Sequence, residues 1–102
     1  MTKVKVAGIN DIPEGELKKV DFNGEPLALY KLDGKIFATS NICTHVGCEL
    51  DHNYAMHGEV VECTCHGSQF NIKTGANVLP PAAEPLKTYQ VSVEDEDVFV
   101  EA

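Results

Sequence analysis

The sequence predicts an all-β protein, an antiparallel sandwich or barrel with a smaller metal-binding unit inserted into it. Short strand-like segments recur at regular spacing along the chain, and residues typical of tight turns separate them. A cluster of Cys and His residues in the middle of the chain predicts the inserted unit. Helix signals are weak, with a helical turn or two expected around 11–17 or 50–57.

The first half of the chain contains two hairpin signals. Asn23-Gly24 lies between segments 17–22 and 26–32, and Asp33-Gly34 lies between 26–32 and 35–39. Asn-Gly and Asp-Gly are the preferred central residues of two-residue hairpin loops, where the backbone needs a positive φ. Three consecutive antiparallel strands are therefore expected here.

The second half of the chain contains shorter strand-like segments. They lie at 60–62, 69–72, 76–79, 88–93 and 98–101. The turn Lys73-Thr74-Gly75 and an acidic turn at 94–97 connect two pairs of them, as hairpin loops do. The sequence contains no internal repeat, so these segments are expected to complete one β scaffold.

The length and composition predict a single domain spanning 1–102. A chain of 102 residues that is 43% hydrophobic suits one modest core. Acidic residues outnumber basic ones by 16 to 8, and the formal net charge of −8 argues against binding the nucleic acid backbone, which needs Lys and Arg. The negative charge suits either solubility alone or electrostatic docking onto basic partners.

The sequence favours a cytoplasmic protein without a membrane anchor. No apolar run approaches the roughly 20 residues of a membrane-spanning helix. The N-terminal residues 1–6 alternate between polar and apolar and lack the apolar stretch of a signal peptide.

The segment of about 40–83 holds all four cysteines and all four histidines, and it is the predicted cluster-binding subdomain. Cys43-Thr44-His45 and Cys63-Thr64-Cys65-His66 each offer a thiolate and an imidazole, with residues 46–62 between them. Two Cys on one iron and two His on the other is a known ligand set of [2Fe–2S] clusters. The predicted ligands of one such cluster are therefore Cys43, His45, Cys63 and His66.

A Cys₂His₂ zinc site is the alternative for the same four residues. Structural zinc sites usually pair Cys with Cys and His with His along the chain, whereas each pair here is mixed. Visible absorption of the purified protein distinguishes the two, because Zn²⁺ is colourless.

The C-x-H…C-x-x-H spacing, followed by Gly67 and Ser68, resembles the Rieske iron–sulfur family. The resemblance extends over most of the chain. It implies a Rieske fold, in which a small cluster-binding lobe is inserted into an antiparallel β scaffold. It also implies that the two cysteines hold the inner iron, and that His45 and His66 hold the outer iron near the surface.

Cys48 and Cys65 lie beside the predicted ligands. They match Rieske proteins of the respiratory high-potential type, in which C-T-H-x-G-C and C-x-C-H-G-S carry a disulfide between the two loops. Many low-potential Rieske ferredoxins lack this pair. The resemblance thus implies a Cys48–Cys65 disulfide, with two reduced thiols as the alternative because cytosolic disulfides are uncommon.

Residues around the predicted ligands carry further expectations. High-potential members use a hydroxyl at the position of Ser68 to hydrogen-bond a cluster sulfide, and a Tyr at the position of Phe70. Hydrogen bonds to the sulfurs tune the potential, so a value between members with both groups and members with neither is expected. Gly47 and Gly67 allow close backbone approach, and Pro81 belongs to a segment that resembles the loop covering the cluster.

The resemblance implies a one-electron carrier and not an enzyme. The first hypothesis is a monomeric Rieske ferredoxin that passes electrons from an NAD(P)H-dependent flavoprotein reductase to a terminal oxygenase that hydroxylates aromatic rings. Both partners are expected to dock near His45 and His66. A second hypothesis is the small Rieske subunit of a stable, nitrite-reductase-like enzyme complex, and a third is a respiratory or arsenite-oxidase-type Rieske protein.

Overall fold

The computed structural model describes residues 3–42, 48–65, 67–79 and 85–101, and these residues form an almost entirely β structure. The strands are Lys3–Gly8 (β1), Leu17–Phe22 (β2), Glu25–Leu32 (β3), Lys35–Ser40 (β4), Tyr54–His57 (β5), Val60–Cys63 (β6), Ser68–Asn71 (β7), Asn77–Leu79 (β8), Thr88–Tyr89 (β9), Val91–Glu94 (β10) and Asp97–Glu101 (β11). They form three antiparallel sheets, with the strand orders β1-β11-β10, β2-β3-β4-β9 and β5-β6-β7-β8. The all-β antiparallel fold predicted from the sequence is confirmed.

The two hairpin turns lie where the sequence places them. Asn23 and Gly24 have φ values of 51° and 86°, and Asp33 and Gly34 have φ values of 51° and 76°. Two consecutive positive φ values match the right-handed twist of the flanking strands, and Asn, Asp and Gly adopt them at least cost. The predicted bounds of β2, β3 and β4 are correct to within one residue.

The helical turns expected at 11–17 and 50–57 are wrong. Within the described residues, the one helical element is a 3-10 turn at Ile9–Asp11, and Tyr54–His57 is strand β5. Gly58, with a φ of 63°, folds β5 back onto β6, and the ladder so formed outweighs a weak local helix preference. Among all the residues that the structure describes, no helix is long and apolar enough to cross a membrane.

The segment 88–93, predicted as one strand, is divided between two sheets. Thr88–Tyr89 pairs with β4, whereas Val91–Glu94 pairs with β11. The chain changes sheet at Gln90, whose carbonyl accepts a hydrogen bond from the Glu101 backbone N–H at 3.0 Å. Strands that switch sheets at a bend form the corners of β-sandwiches.

Strand β3 is buried on both faces because it lies between the two hydrophobic cores of the protein. Leu27 and Leu29 pack in a core with β1 and β11 of the first sheet. Ala28 and Tyr30 point the other way, since alternate residues of a strand face opposite sides, and they pack in a second core with β6 and β7. The middle sheet therefore contacts both of the others.

The third sheet is an insertion into the middle one. Its strands, β5 to β8, lie in sequence between β4 and β9, which pair with each other through Ala38 and Tyr89 and through Thr39 and Thr88. The sheet falls inside the segment predicted to bind the cluster, while the subdomain limits of about 40–83 stay a prediction.

Candidate metal centre

Cys63 ends strand β6, the strand that lies between β5 and β7. Its side chain is 1% exposed and packs in the core with Leu50, Val61 and Phe70. A strand held by ladder hydrogen bonds on both sides fixes its last residue closely. The fold thus holds the Cys63 sulfur at the buried end of a strand that is paired on both sides.

The turn after Cys63 is closed by its own backbone. The Gly67 N–H donates to the Cys63 carbonyl at 2.9 Å, and the Thr64 N–H donates to the Asn53 carbonyl at 3.0 Å. Gly67 has a φ of 83°, a conformation that Gly adopts without the Cβ clash of other residues. The predicted role of Gly67 therefore rests on backbone conformation at this turn, which carries His66 in its sequence.

The segments that flank the first predicted ligand pair, Cys43 and His45, are joined by a backbone pairing. Ile42 and Glu49 form an isolated antiparallel bridge, and the Leu50 N–H donates to the Asn41 carbonyl at 2.7 Å. These contacts bring together the two ends of the segment that contains the first pair. Five predicted site residues lie outside the described residues: Cys43, His45, Gly47, His66 and Pro81.

A reciprocal side-chain contact reinforces this closure. The Asn41 Nδ2 donates to Asp51 Oδ1 at 2.7 Å, and the Asp51 backbone N–H donates to Asn41 Oδ1 at 3.0 Å. Asn41 is fully buried, so its amide is satisfied inside the protein. Sequence reasoning missed this pair because its members are ten residues apart and follow no periodic pattern.

Asn53 connects the two segments that carry the ligand pairs. Its Nδ2 donates to the Glu49 carbonyl at 3.1 Å, while its own carbonyl accepts from Thr64. One residue therefore holds the end of the first segment against the start of the second. Nothing in the sequence singled it out, since Asn in a polar stretch is ordinary loop composition.

The structure joins Cys48 and Cys65 in a disulfide, the pairing that the resemblance implied. Their Cα atoms are 6.7 Å apart, and the bridge spans 17 positions of sequence. The Sγ atoms of Cys48, Cys63 and Cys65 all lie within 4.8 Å of one another. The disulfide thus covalently links the two segments directly beside the Cys63 sulfur.

Ser68 and Phe70, the two residues with predicted tuning roles, both lie on strand β7. Both side chains are fully buried on β7, and they share a face because they are two residues apart. Ser68 pairs in register with Cys63, and Phe70 with Val61. Phe70 packs in the same core as Cys63, so its packing role is established by the structure.

Tyr54 fixes the outer edge of the third sheet to the scaffold. It pairs with Cys63 in the β5–β6 ladder, and its hydroxyl donates to Glu16 Oε2 at 2.7 Å. The hydrogen bond to the Glu16 carboxylate raises the pKa of Tyr54, because ionisation would place two negative charges together. This contact ties the edge strand β5 to the segment that leads into β2.

The surface around Glu49 and His52 is charged. His52 lies between two carboxylates, with Nδ1 at 3.4 Å from Glu49 and Nε2 at 3.3 Å from Asp51. Lys19 approaches Glu49 at 4.0 Å. These groups are mostly exposed, and such pairs contribute little to stability because water screens them.

The described part of the site fits one ligand position of an iron–sulfur cluster. Cys63 offers a soft sulfur donor, which suits iron in such clusters, and it stands outside the disulfide that uses the neighbouring sulfurs. The glycine turn and the two closures described above hold the flanking segments around it.

Comparisons of the sequence and of the structure with known proteins agree on one family. Residues 2–90 match the model of the Rieske [2Fe-2S] domain. The chain is 37% identical over 101 residues to the biphenyl dioxygenase ferredoxin subunit of Pseudomonas sp. (strain KKS102), covering 99% of this chain and 93% of that protein. The structure is similar to the Sphingomonas yanoikuyae B1 ferredoxin, with a TM-score of 0.91, 35% identity and 99% of each chain covered.

A second structural neighbour comes from a complex of an oxygenase with a ferredoxin. It is a chain from the complex of reduced oxygenase and oxidized ferredoxin in carbazole 1,9a-dioxygenase, with a TM-score of 0.88, 33% identity, and coverage of 96% of this chain and 91% of that chain. Sequence match, ligand spacing and fold agree along nearly the whole chain, and the protein therefore belongs to the Rieske [2Fe-2S] domain family.

Proposed function

We propose that this protein is the ferredoxin component of an aromatic-ring-hydroxylating dioxygenase system. It is a one-electron carrier with one [2Fe–2S] cluster, and it performs no substrate chemistry of its own. The observation that carries this proposal is the end-to-end similarity to a dioxygenase ferredoxin subunit of nearly the same length. The single domain spanning 1–102, with its cluster-binding subdomain, serves to hold and present the cluster.

Four residues hold the cluster in this proposal: Cys43, His45, Cys63 and His66. Bound there, the cluster supplies a site that accepts and releases one electron. Imidazole ligands on one iron place the potential of such centres at roughly −150 to +300 mV, above the roughly −400 mV of plant-type all-Cys ferredoxins. The Cys63 sulfur lies at the buried end of β6, and this burial restricts solvent access to the cluster from the side of β6.

The neighbouring residues tune and cover the cluster. Ser68 supplies a buried hydroxyl beside Cys63, while Phe70 offers packing and no hydrogen-bond donor at its position. Gly67 permits the tight turn after Cys63. Gly47 is proposed to allow close backbone approach to the cluster, and Pro81 to belong to the loop that covers it.

The electron acceptor is a terminal oxygenase and the donor is an NAD(P)H-dependent flavoprotein reductase. The acceptor is supported by the similarity to a chain from an oxygenase–ferredoxin complex. Both partners dock near His45 and His66, where the electron enters and leaves, and the carrier is a monomer between encounters. The net charge of −8 favours partners with basic docking surfaces.

The cytoplasm is the proposed location, since NAD(P)H supplies the electrons. The Cys48–Cys65 disulfide is uncommon in that compartment. It favours a second candidate, a respiratory or arsenite-oxidase-type Rieske protein, because that branch of the family carries the same bridge. The end-to-end match to a dioxygenase ferredoxin subunit outweighs this single feature.

A redox titration followed by EPR tests the proposal. Purified protein is analysed for iron and acid-labile sulfide and then titrated between its oxidised and reduced forms. The expected result is two irons and two sulfides per chain with a one-electron rhombic signal. Zinc in place of iron, or a cluster that an oxygenase of this class does not oxidise, contradicts the proposal. A potential near the top of the Rieske range supports the respiratory candidate instead.

A further inference from the structure

Three sulfur atoms lie together at the junction of the two segments that carry the ligand pairs. The Sγ atoms of Cys48, Cys63 and Cys65 are mutually within 4.8 Å, and two of them are joined as a disulfide. From this juxtaposition we infer that Cys63 attacks the Cys48–Cys65 disulfide when the protein loses its cluster. The inference rests on the proposed function in one respect, the assignment of Cys63 as an iron ligand.

The step is a thiol–disulfide exchange within one chain. The Cys63 sulfur forms a bond to Cys48 while the bond between Cys48 and Cys65 breaks, and the electron pair of that bond leaves on Cys65. The proton lost by Cys63 is balanced by the proton that Cys65 takes up. Among these three cysteines, one thiol and one disulfide are present before and after the exchange, so no oxidant or reductant is consumed.

Geometry selects Cys48 as the sulfur that is attacked. Cys63 and Cys65 are separated by one residue, and a bridge between them would close a very small ring, which stiff short segments resist. Cys48 belongs to the other segment, so a bridge from Cys63 to Cys48 closes no such ring. The product therefore contains a Cys48–Cys63 disulfide and a Cys65 thiol.

The fold favours this internal reaction over reaction with outside thiols. Cys63 is 1% exposed, and its position at the end of β6 is held by the ladders with β5 and β7. Groups held at short distance in one folded chain react as if at very high concentration. The exchange thus proceeds without a small-molecule thiol while the β scaffold remains folded.

The consequence is a block on reloading the site. A Cys63 that is bound in a disulfide has no thiolate for iron, so the exchanged chain lacks one of its four ligands. A thiol reductant restores it by breaking the new bridge. Cys48 and Cys65 thus link the two segments in the protein that contains the cluster, whereas in the protein without the cluster Cys48 binds the Cys63 sulfur and keeps it from iron.

Disulfide mapping tests the inference on the full-length protein. The holoprotein is treated anaerobically with an iron chelator in the absence of thiols, then alkylated at low pH, digested and analysed by mass spectrometry. Before chelation, the expected map contains Cys48–Cys65. After chelation, the expected map contains Cys48–Cys63 with Cys65 alkylated.

Two variants provide a matched pair. Cys43→Ser and Cys63→Ser each remove one proposed ligand, so both are expected to lack the cluster, but Cys43→Ser alone keeps the attacking sulfur. Cys43→Ser is expected to show Cys48–Cys63, whereas Cys63→Ser is expected to keep Cys48–Cys65. Circular dichroism of both variants confirms that the β scaffold is folded.

Two results overturn the inference. One is a chelated protein that retains Cys48–Cys65 with Cys63 alkylated. The other is the same mixture of disulfides, Cys43 included, in the chelated and in the urea-denatured chain, because that shows scrambling without a role for the fold. The iron and sulfide content of the starting protein tests the proposed function separately, so the two failures are distinguishable.

Discussion

Asn41 and Asp51 exchange two hydrogen bonds across the base of the segment that contains the first ligand pair. The amide of Asn41 donates to the carboxylate of Asp51 at 2.7 Å and accepts from its backbone N–H at 3.0 Å. Asn41 directly follows strand β4. Its contact with Asp51 therefore fixes the chain on both sides of the first predicted ligand pair relative to the β scaffold. It is the clearest structural support for the site that the sequence did not indicate.

Replacing Asn41 with Ala is expected to lower stability and to loosen the cluster. Two hydrogen bonds are lost at a buried position, which costs about 2 kcal/mol in the free energy of unfolding. Urea denaturation measures the stability, and the decay of visible absorption in a chelator measures cluster loss. Asn71→Ala is the control, because Asn71 accepts from Lys73 and Thr74 in the turn at the opposite end of β7. Equal rates of cluster loss in both variants contradict the prediction.

Ser68→Ala is expected to lower the midpoint potential. A hydroxyl that hydrogen-bonds a cluster sulfur stabilises the more negative, reduced form. If that bond is about 1 kcal/mol stronger in the reduced form, its loss lowers a one-electron potential by about 40 mV. Protein-film voltammetry gives the potential. Ser92→Ala is the control, since the Ser92 hydroxyl is buried on β10 and has no hydrogen-bond partner in the described residues. An unchanged potential in Ser68→Ala removes Ser68 from the tuning role.

Phe70→Tyr is expected to raise the midpoint potential by a similar amount. The added hydroxyl would supply the donor that high-potential members of the family have at this position, and we expect it to hydrogen-bond a ligand sulfur. Phe70→Leu is the matched control, because it changes the packing around Cys63 and adds no donor. The prediction fails if both variants shift the potential in the same direction, which would trace the effect to packing.

The Cys48–Cys65 bridge is expected to stabilise the folded protein. A disulfide that closes a loop of this length contributes about 3 kcal/mol, chiefly by restricting the unfolded chain. Thermal unfolding of the holoprotein is measured with and without a thiol reductant, and in a Cys48→Ser/Cys65→Ser double variant. The reductant should lower the melting temperature of the parent and leave the double variant unchanged. Two alkylated thiols at these positions in unreduced protein would rule the bridge out.

The tyrosines predict a loss of stability at alkaline pH. Burial raises the pKa of Tyr30, the hydrogen bond to Glu16 raises the pKa of Tyr54, and burial together with the Glu25 carboxylate raises the pKa of Tyr89 to about 12. Each is an acid with a folded-state pKa above its unfolded value of about 10. Its contribution is therefore complete below about pH 10 and is lost as the pH rises towards the folded-state pKa.

Ultraviolet titration of phenolate measures this effect directly. These are all the tyrosines of the chain, so native protein should show little phenolate near pH 10, while urea-denatured protein titrates normally. Tyr30→Phe serves as an internal check, because it removes the buried phenol and its 2.7 Å hydrogen bond to Thr39. A native titration that overlays the denatured one would contradict the raised pKa values.

Local signals in the sequence predicted much of the fold. The Asn23-Gly24 and Asp33-Gly34 turns were correct because the positive φ that such turns need is a property of two adjacent residues. The strand at Tyr54–His57 was missed because its formation depends on pairing with β6, which a four-residue window does not show. The division of 88–93 between two sheets was missed for the same reason, since each half follows a different partner strand.

The chain alone indicated the chemistry of the site: four candidate ligands of two residue types, Cys and His, at family spacing, an extra cysteine pair, and Phe70 at the position where high-potential members of the family have Tyr. Only the tertiary structure decided how Cys63 sits beside the Cys48–Cys65 bridge and how Asn41 meets Asp51. Residue type sets which bonds an atom can form and is readable at each position. Distance between residues far apart in sequence is set by the packing of three sheets on two shared cores, and that packing exists only in the folded chain.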